Sequence, residues 1–154
     1  MRLGRFAFVA AVMSFTTLAF AQESEFQTKI QEDMDGYKSR FVNNCGSPAS
    51  LKFNYAGKLG ANPRSGAKPD WNAVTTLCTT GLSVVSDDGC QNNKAIKQSI
   101  GKVTTVTCTA GKGTLDYTLK GTALTIKVDP SFTTNNPSGQ GADLLTKMKK
   151  DLDQ

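Results

Sequence analysis

The sequence predicts an α+β fold, in which an antiparallel meander of three to four strands has helices packed on one face. Three observations predict it. Apolar residues recur at helical spacing near the start and at the end of the 154-residue chain. Elsewhere they alternate with polar residues in short segments, as they do in half-buried strands. Glycine-containing pairs separate the last three of these segments at hairpin spacing.

The first 21 residues have the pattern of a secretory signal peptide. Arg2 and Arg5 precede an uncharged, largely apolar run over 6–21, which ends in an A-x-A pattern at Ala21. Such an order is typical of leaders that are removed on export. We therefore expect a signal peptide, 1–21, and a single domain, 22–154, in a secreted or periplasmic protein. No later stretch is long and apolar enough to predict a membrane span in the mature form.

Apolar stripes predict the helices. The first stripe predicts a helix over about 25–42, which Gly36 weakens. This stripe consists of Phe26, Ile30, Met34, Tyr37 and Phe41. Similar spacing predicts a helix from Trp71 to about Val85 and a C-terminal helix over 142–152. The threonines and Gly81 weaken the first of these and leave a strand as the alternative. A short helix over 91–99, closed by Gly101, is also expected. Residues 87–89, with two aspartates and a glycine, are expected to form a turn.

Alternating residues predict strands over 50–56, 103–109, 113–119 and 122–128. Two-residue turns at 111–112 and 120–121 would join the last three strands into two hairpins. In that register Cys108 lies opposite Leu115, and Tyr117 lies opposite Leu124. The apolar side chains then share one buried face, and the opposite face is rich in threonine hydroxyl groups.

The four cysteines are Cys45, Cys78, Cys90 and Cys108. An even number in an exported chain favours two disulfides, and the spacing fits no zinc motif. Four cysteines allow three pairings, and the sequence does not choose among them. The favoured pairing is Cys78–Cys90, across the turn at 87–89, with Cys45–Cys108, from the first helix to the buried face of the sheet.

Catalytic motifs are missing from the sequence. The chain has no histidine, which excludes Ser-His and Cys-His catalysis and histidine-ligated metal sites. Ser65 and Lys68 match the S-x-x-K spacing of serine β-lactamases, but they lie among glycines and prolines instead of starting a helix. No glycine pattern for a phosphate or a dinucleotide is present. We therefore expect no catalytic residue, no metal and no cofactor.

The sequence favours a non-enzymatic exported protein: a binding or inhibitor module, or an accessory factor of the envelope. Its partner would be an envelope or extracellular protein or an anionic polymer, since residues 36–69 include basic but no acidic side chains. Removing Arg2 and Arg5 from the 18 basic residues leaves 16 against 13 acidic ones, too mild an excess to predict nucleic-acid binding. The candidate contact residues are Lys52, Lys58, Arg64, Lys68, Trp71, Thr105, Thr107, Thr118 and Thr125.

Two alternative functions stay open. A small hydrolase with Asp or Ser/Lys chemistry and no known motif would need a pocket that holds two or more reactive groups. The candidates for such a pocket are Ser65, Lys68, Asp70, Asp87 and Asp88. The other alternative is a purely structural or stress-related role in the envelope. Neither the ligand nor the oligomeric state follows from the sequence.

Overall fold

The computed structural model describes residues 25–56, 71–111, 113–129 and 136–153. These residues form helices and one four-stranded sheet. The helices are α1 (25–35), α2 (Lys38–Arg40, continued as a π-helix over Phe41–Cys45), α3 (Trp71–Ser83, continued as a π-helix over Val84–Gly89), α4 (Cys90–Asn92), α5 (Lys94–Ile100) and α6 (Pro137–Leu152). The strands are β1 (Lys52–Ala56), β2 (Thr105–Ala110), β3 (Asp116–Lys120) and β4 (Ala123–Val128).

The sheet is mixed, with strand order β1-β2-β4-β3. Strands β1, β2 and β4 are mutually parallel, and only β3 runs antiparallel, against β4. The α+β class and the four strands are thus confirmed, whereas the pure antiparallel meander is wrong. Strand β2 pairs with β4 and not with β3, so the predicted hairpin between β2 and β3 does not form. Lys112, in its predicted turn, lies outside the described residues.

The β3–β4 hairpin is confirmed, but its register differs from the prediction by two residues. Tyr117 pairs with Ile126 instead of Leu124, and the turn lies at Gly121–Thr122 instead of one residue earlier. Gly121 has φ +56°, a left-handed conformation that glycine adopts without steric cost. A shift of two residues leaves every side chain on its predicted face, because the pleat has a period of two.

The inner face of the sheet carries the core, as the alternation predicted. Its central side chains, Val106, Cys108, Leu124 and Ile126, are completely buried. The helices pack on this face. The Phe41 ring of α2 meets the Phe53 ring of β1 at 5.5 Å, edge to face. Helix α3 comes close enough that a methyl group added at Gly81 would lie 2.8 Å from Ile126 Cγ2.

The predicted first helix is divided in two. Helix α1 ends at residue 35, and α2 begins at Lys38 after a turn at Gly36–Tyr37. The apolar stripe still forms the buried side of both helices, because Ile30, Met34 and Phe41 are completely buried. The interruption falls where glycine makes the helix weakest.

The predicted turn at 87–89 is wrong, because helix α3 continues through it as a π-helix to Gly89. This continuation determines which cysteines pair in the disulfides. Cys90 is carried to the end of α2, where it bonds to Cys45 with a Cα–Cα distance of 5.0 Å. Cys78, on the sheet-facing side of α3, bonds to Cys108 of β2 with a Cα–Cα distance of 6.1 Å.

Two disulfides are therefore confirmed, but the favoured pairing, Cys78–Cys90 with Cys45–Cys108, is wrong. Cys78 and Cys90 are too far apart along the same helical run to meet, since twelve residues of helix span roughly 18 Å. Two structural disulfides indicate an oxidising environment, extracellular or periplasmic. The predicted leader, 1–21, lies outside the described residues.

The C-terminal helix begins earlier than the sequence predicts. It starts at Pro137, and the Asn136 side chain caps it by accepting a hydrogen bond from the Gly139 N–H at 2.8 Å. An asparagine cap followed by proline is a favourable helix start. Leu144 and Met148 are buried against the rest of the core. Among the described helices, none has both the length and the hydropathy needed to cross a bilayer.

Candidate functional site: the outer face of the sheet

The side of the sheet opposite the helices, here called the outer face, presents twelve side chains in three rows across the strands. None of the twelve is buried. In the strand order β1-β2-β4-β3 the first row is Lys52, Thr105, Ala123 and Lys120; the middle row is Asn54, Thr107, Thr125 and Thr118; the third row is Ala56, Thr109, Lys127 and Asp116.

The middle row is a continuous line of hydrogen-bonding groups. It places one amide and three hydroxyls side by side on four adjacent strands, at the strand spacing of about 4.8 Å. None of these side chains makes a hydrogen bond to another described residue, whereas the nearby hydroxyls of Thr104 and Thr122 bond to each other at 3.2 Å. Each hydroxyl can both donate and accept, so the row can bind an external polar ligand.

Charge is unevenly distributed over the outer face. Asp116, in the third row, accepts a hydrogen bond from Lys147 of α6 at 2.5 Å and lies 3.7 Å from Lys127 Nζ. Burial opposes the charged form of Asp116, but the hydrogen bond from Lys147 and the neighbouring lysine charges lower its pKa below the usual value. Within the described part of the chain, Lys52 and Lys120 form no ion pair. The first row is therefore the cationic side of the face.

Both edges of the sheet are partly blocked. On the β1 edge, Gln31 of α1 donates a hydrogen bond to the Phe53 carbonyl at 2.7 Å. On the β3 edge, the Tyr117 N–H donates to the Asp116 carboxylate at 2.8 Å. An edge whose backbone groups are already satisfied is a poor template for another strand. The geometry therefore favours contact through the face over strand addition.

The structure brings five of the nine predicted contact residues together on this face: Lys52, Thr105, Thr107, Thr118 and Thr125. The predicted contacts Lys58, Arg64 and Lys68 lie outside the described residues, as does the side chain of Trp71. The prediction missed Asn54 and Lys120. The signal for Asn54 was the alternation in β1, but the sequence did not reveal that β1 belongs to the same sheet.

Asp87 is a structural anchor between α2 and the π-helix of α3. Its carboxylate accepts hydrogen bonds from Arg40 at 2.6 Å and Asn44 at 3.1 Å, and from Ser83 and Ser86 at 3.1 Å each. Four donors leave it little capacity to bind a substrate. The other groups considered for a hydrolase, Ser65, Lys68 and Asp70, lie outside the described residues.

Asp88 lines an open groove of about 460 Å³ between α3 and α6. The groove holds hydroxyl groups but no activated nucleophile among its described residues. The Thr79 hydroxyl lies 2.9 Å from the Thr75 carbonyl of its own helix, and the Ser83 hydroxyl bonds to Asp87. A histidine, or another base beside a nucleophile, would be needed for acyl transfer. The carboxylate that Ser83 contacts, Asp87, is already held by Arg40 through the same oxygen.

No group of three or more histidine, cysteine, aspartate or glutamate side chains comes together as a metal centre within residues 25–56, 71–111, 113–129 and 136–153. Both cysteine pairs are oxidised, so they supply no thiolate ligand. No protein-family model, curated protein or solved structure matches this chain. The function is therefore inferred from the residues of the outer face.

Proposed function

We propose that this protein is an exported, non-enzymatic binding module that holds a polysaccharide on the outer face of its sheet. The observation that carries the proposal is the middle row: Asn54, Thr107, Thr125 and Thr118 lie side by side without hydrogen bonds to other described residues. The two disulfides and the predicted leader support export.

A polysaccharide fits the chemistry of this face better than a protein does. Protein interfaces are rich in tyrosine, tryptophan, phenylalanine and methionine, and the outer face carries none of them. Sugar hydroxyls both donate and accept hydrogen bonds, and threonine and asparagine side chains can also do both. Threonine also favours exposed strand positions for its β-propensity alone, so the test must separate binding from folding.

The alternative of a small hydrolase has less support. Asp87 and Asp88 are adjacent in sequence, yet Asp87 is held by four donors. Asp88 lines a groove whose described lining residues include no second carboxylate. Two carboxylates that share a glycosidic bond must face each other across it. We therefore propose binding without turnover.

The test is binding of soluble polysaccharides, acidic and neutral, to the disulfide-bonded protein by calorimetry. In the variant Thr107→Val/Thr125→Val the side chains keep their shape but lose two hydroxyls. Because a hydrogen bond contributes about 0.5–1.5 kcal/mol, we expect about tenfold weaker binding with an unchanged unfolding transition. Thr146→Val, at an exposed position on α6, is the matched control and should bind like the native protein. Equal affinity of all three proteins for every polysaccharide would reject the outer face as the binding site.

A further inference from the structure

The outer face differs in chemistry along and across its strands. Along a strand, neighbours on the same face are roughly 6.6 Å apart and change character, as Lys52, Asn54 and Ala56 do on β1. Across the strands, the middle row repeats a hydrogen-bonding group at every step of about 4.8 Å. That step is close to the length that one pyranose adds to an extended polysaccharide. A sugar chain aligned with the row would place one unit on each strand.

The two lysines of the first row indicate the charge of such a ligand. Lys52 and Lys120 lie at opposite ends of the first row, roughly 14 Å apart at three strand spacings. Only Thr105 and Ala123 lie between them, so the row contains no acid. Flexible lysine side chains can reach towards the middle row from both ends. Anionic groups on the ligand would therefore be attracted to this side.

The third row is less positive than the first. Asp116 is the only acid among these twelve side chains, and its ion pairs with Lys127 and Lys147 offset part of the positive charge of those two lysines. One carboxylate against two lysines leaves a smaller net positive charge than Lys52 and Lys120 carry, so a ligand carboxylate would be attracted less strongly on this side. The face is thus asymmetric about its middle row.

We propose that the ligand is an acidic polysaccharide of the uronate type that lies across the four strands along the middle row. It occupies one sugar unit per strand, and Lys52 and Lys120 bind its carboxylates. The greater positive charge of the first row favours the orientation in which these carboxylates face Lys52 and Lys120 and not the paired side of Asp116. This inference rests on the proposed polysaccharide binding and adds the charge, the length and the direction of the ligand.

The first test uses oligomers of galacturonate and of alginate, two to six units long, and their fully methyl-esterified forms. We expect affinity to rise up to four units, the number of strands, and then to level off. We also expect esters to bind about tenfold more weakly, because they lose the charge but keep the hydroxyls. Added salt should weaken binding of the acids and leave that of the esters unchanged.

The second test uses the variant Lys52→Gln/Lys120→Gln. Because the two lysine charges that attract its carboxylates are removed, we expect about tenfold weaker binding of the acidic tetramer and no change for its ester. Lys94→Gln/Lys97→Gln removes two exposed lysines of α5 and should bind both ligands normally.

The outcomes separate this inference from the proposed function. Equal binding of acids and esters would overturn the acidic ligand but leave polysaccharide binding standing. Dimers that bind as tightly as tetramers would overturn the alignment across the strands. Failure of both uronate series, with binding of a neutral polysaccharide that Thr107→Val/Thr125→Val weakens, would reject the inference alone. If no polysaccharide binds, the proposed function and the inference both fail.

Discussion

At the residue scale, Asp87 shows how an acidic pair that resembles a turn or an active site can be structural. Its carboxylate ties Arg40 and Asn44, from the end of α2, to the π-helix that carries it. π-Helical segments are uncommon and need such support. The disulfide Cys45–Cys90 then joins the ends of the two π-helical segments. Asp87 therefore connects two helical segments of the fold.

Asp87→Asn should lower the free energy of unfolding by about 1–3 kcal/mol, because an amide cannot accept from all four donors and loses the charge that faces Arg40. Denaturant unfolding measures this loss. The matched control is Asp88→Asn, which alters the exposed neighbour and should change stability by less than about 0.5 kcal/mol. Equal stability of the two variants would show that the Asp87 contacts do not stabilise the fold.

Tyr117 links the sheet to α6 and makes the free energy of unfolding depend on pH in the alkaline range. Its hydroxyl donates a hydrogen bond to Asp151 at 3.2 Å. Burial, together with the Asp151 carboxylate, raises the pKa of Tyr117 from 10.0 to about 12. Between these values the unfolded chain releases the phenol proton while the folded protein keeps it. The stabilisation is thus complete below about pH 10 and is lost as the pH rises towards 12.

We expect Tyr117→Phe and Asp151→Asn to lose less stability than the native protein between pH 10 and 12. The difference should be up to about 2 kcal/mol for Tyr117→Phe, since one pKa unit corresponds to about 1.4 kcal/mol. Denaturant unfolding across this range measures it. Asp143→Asn, two turns earlier on α6, is the control and should follow the native curve. A native-like alkaline slope in Tyr117→Phe would contradict the linkage.

At the element scale, the sequence predicted the approximate position of each strand and the face of its side chains, but not which strands are neighbours. The predicted strand over 113–119 begins three residues later in the structure, at Asp116, and includes Lys120, which was expected in a turn. Alternation determines the face of Val106, Tyr117 and Ile126, because the pleat has a period of two. It contains no information about whether β2 pairs with β3 or with β4. The connection 111–115 resembled a tight hairpin in sequence, and only the tertiary packing shows β4 between the two.

The pairing of the cysteines was missed for a related reason. The pairing depended on a turn at 87–89, and two aspartates with a glycine are good turn formers. In the structure, hydrogen bonds from Arg40 and Asn44 to Asp87 stabilise a helical path through these residues. These contacts come from more than forty positions away, so no local pattern could have predicted them.

The pairing can be checked by peptide mapping under non-reducing conditions. Cleavage before aspartate and after lysine or arginine separates the four cysteines, which fall in 41–52, 70–86, 88–94 and 103–112. We expect 41–52 linked to 88–94, and 70–86 linked to 103–112. A linked pair of 70–86 and 88–94 would contradict the structure and restore the pairing across the turn.

At the scale of the whole molecule, the structural contacts lie on one side of the sheet and the proposed binding surface lies on the other. The core, both disulfides and the Asp87 contacts all lie on the helical side. Substitutions on the outer face should therefore cost little stability. The sequence predicted the threonines of this face and Lys52, but the alignment of Asn54 with Thr107, Thr125 and Thr118 needed the parallel pairing of β1, β2 and β4.

The most direct test of the central claim is a titration of the protein with the acidic tetramer, followed by backbone amide chemical shifts. We expect the largest changes in the three rows of the outer face, centred on Asn54, Thr107, Thr125 and Thr118. Residues of the groove between α3 and α6, such as Thr80 and Ser138, should not shift. Changes confined to that groove, or to the edge of β1, would contradict the account.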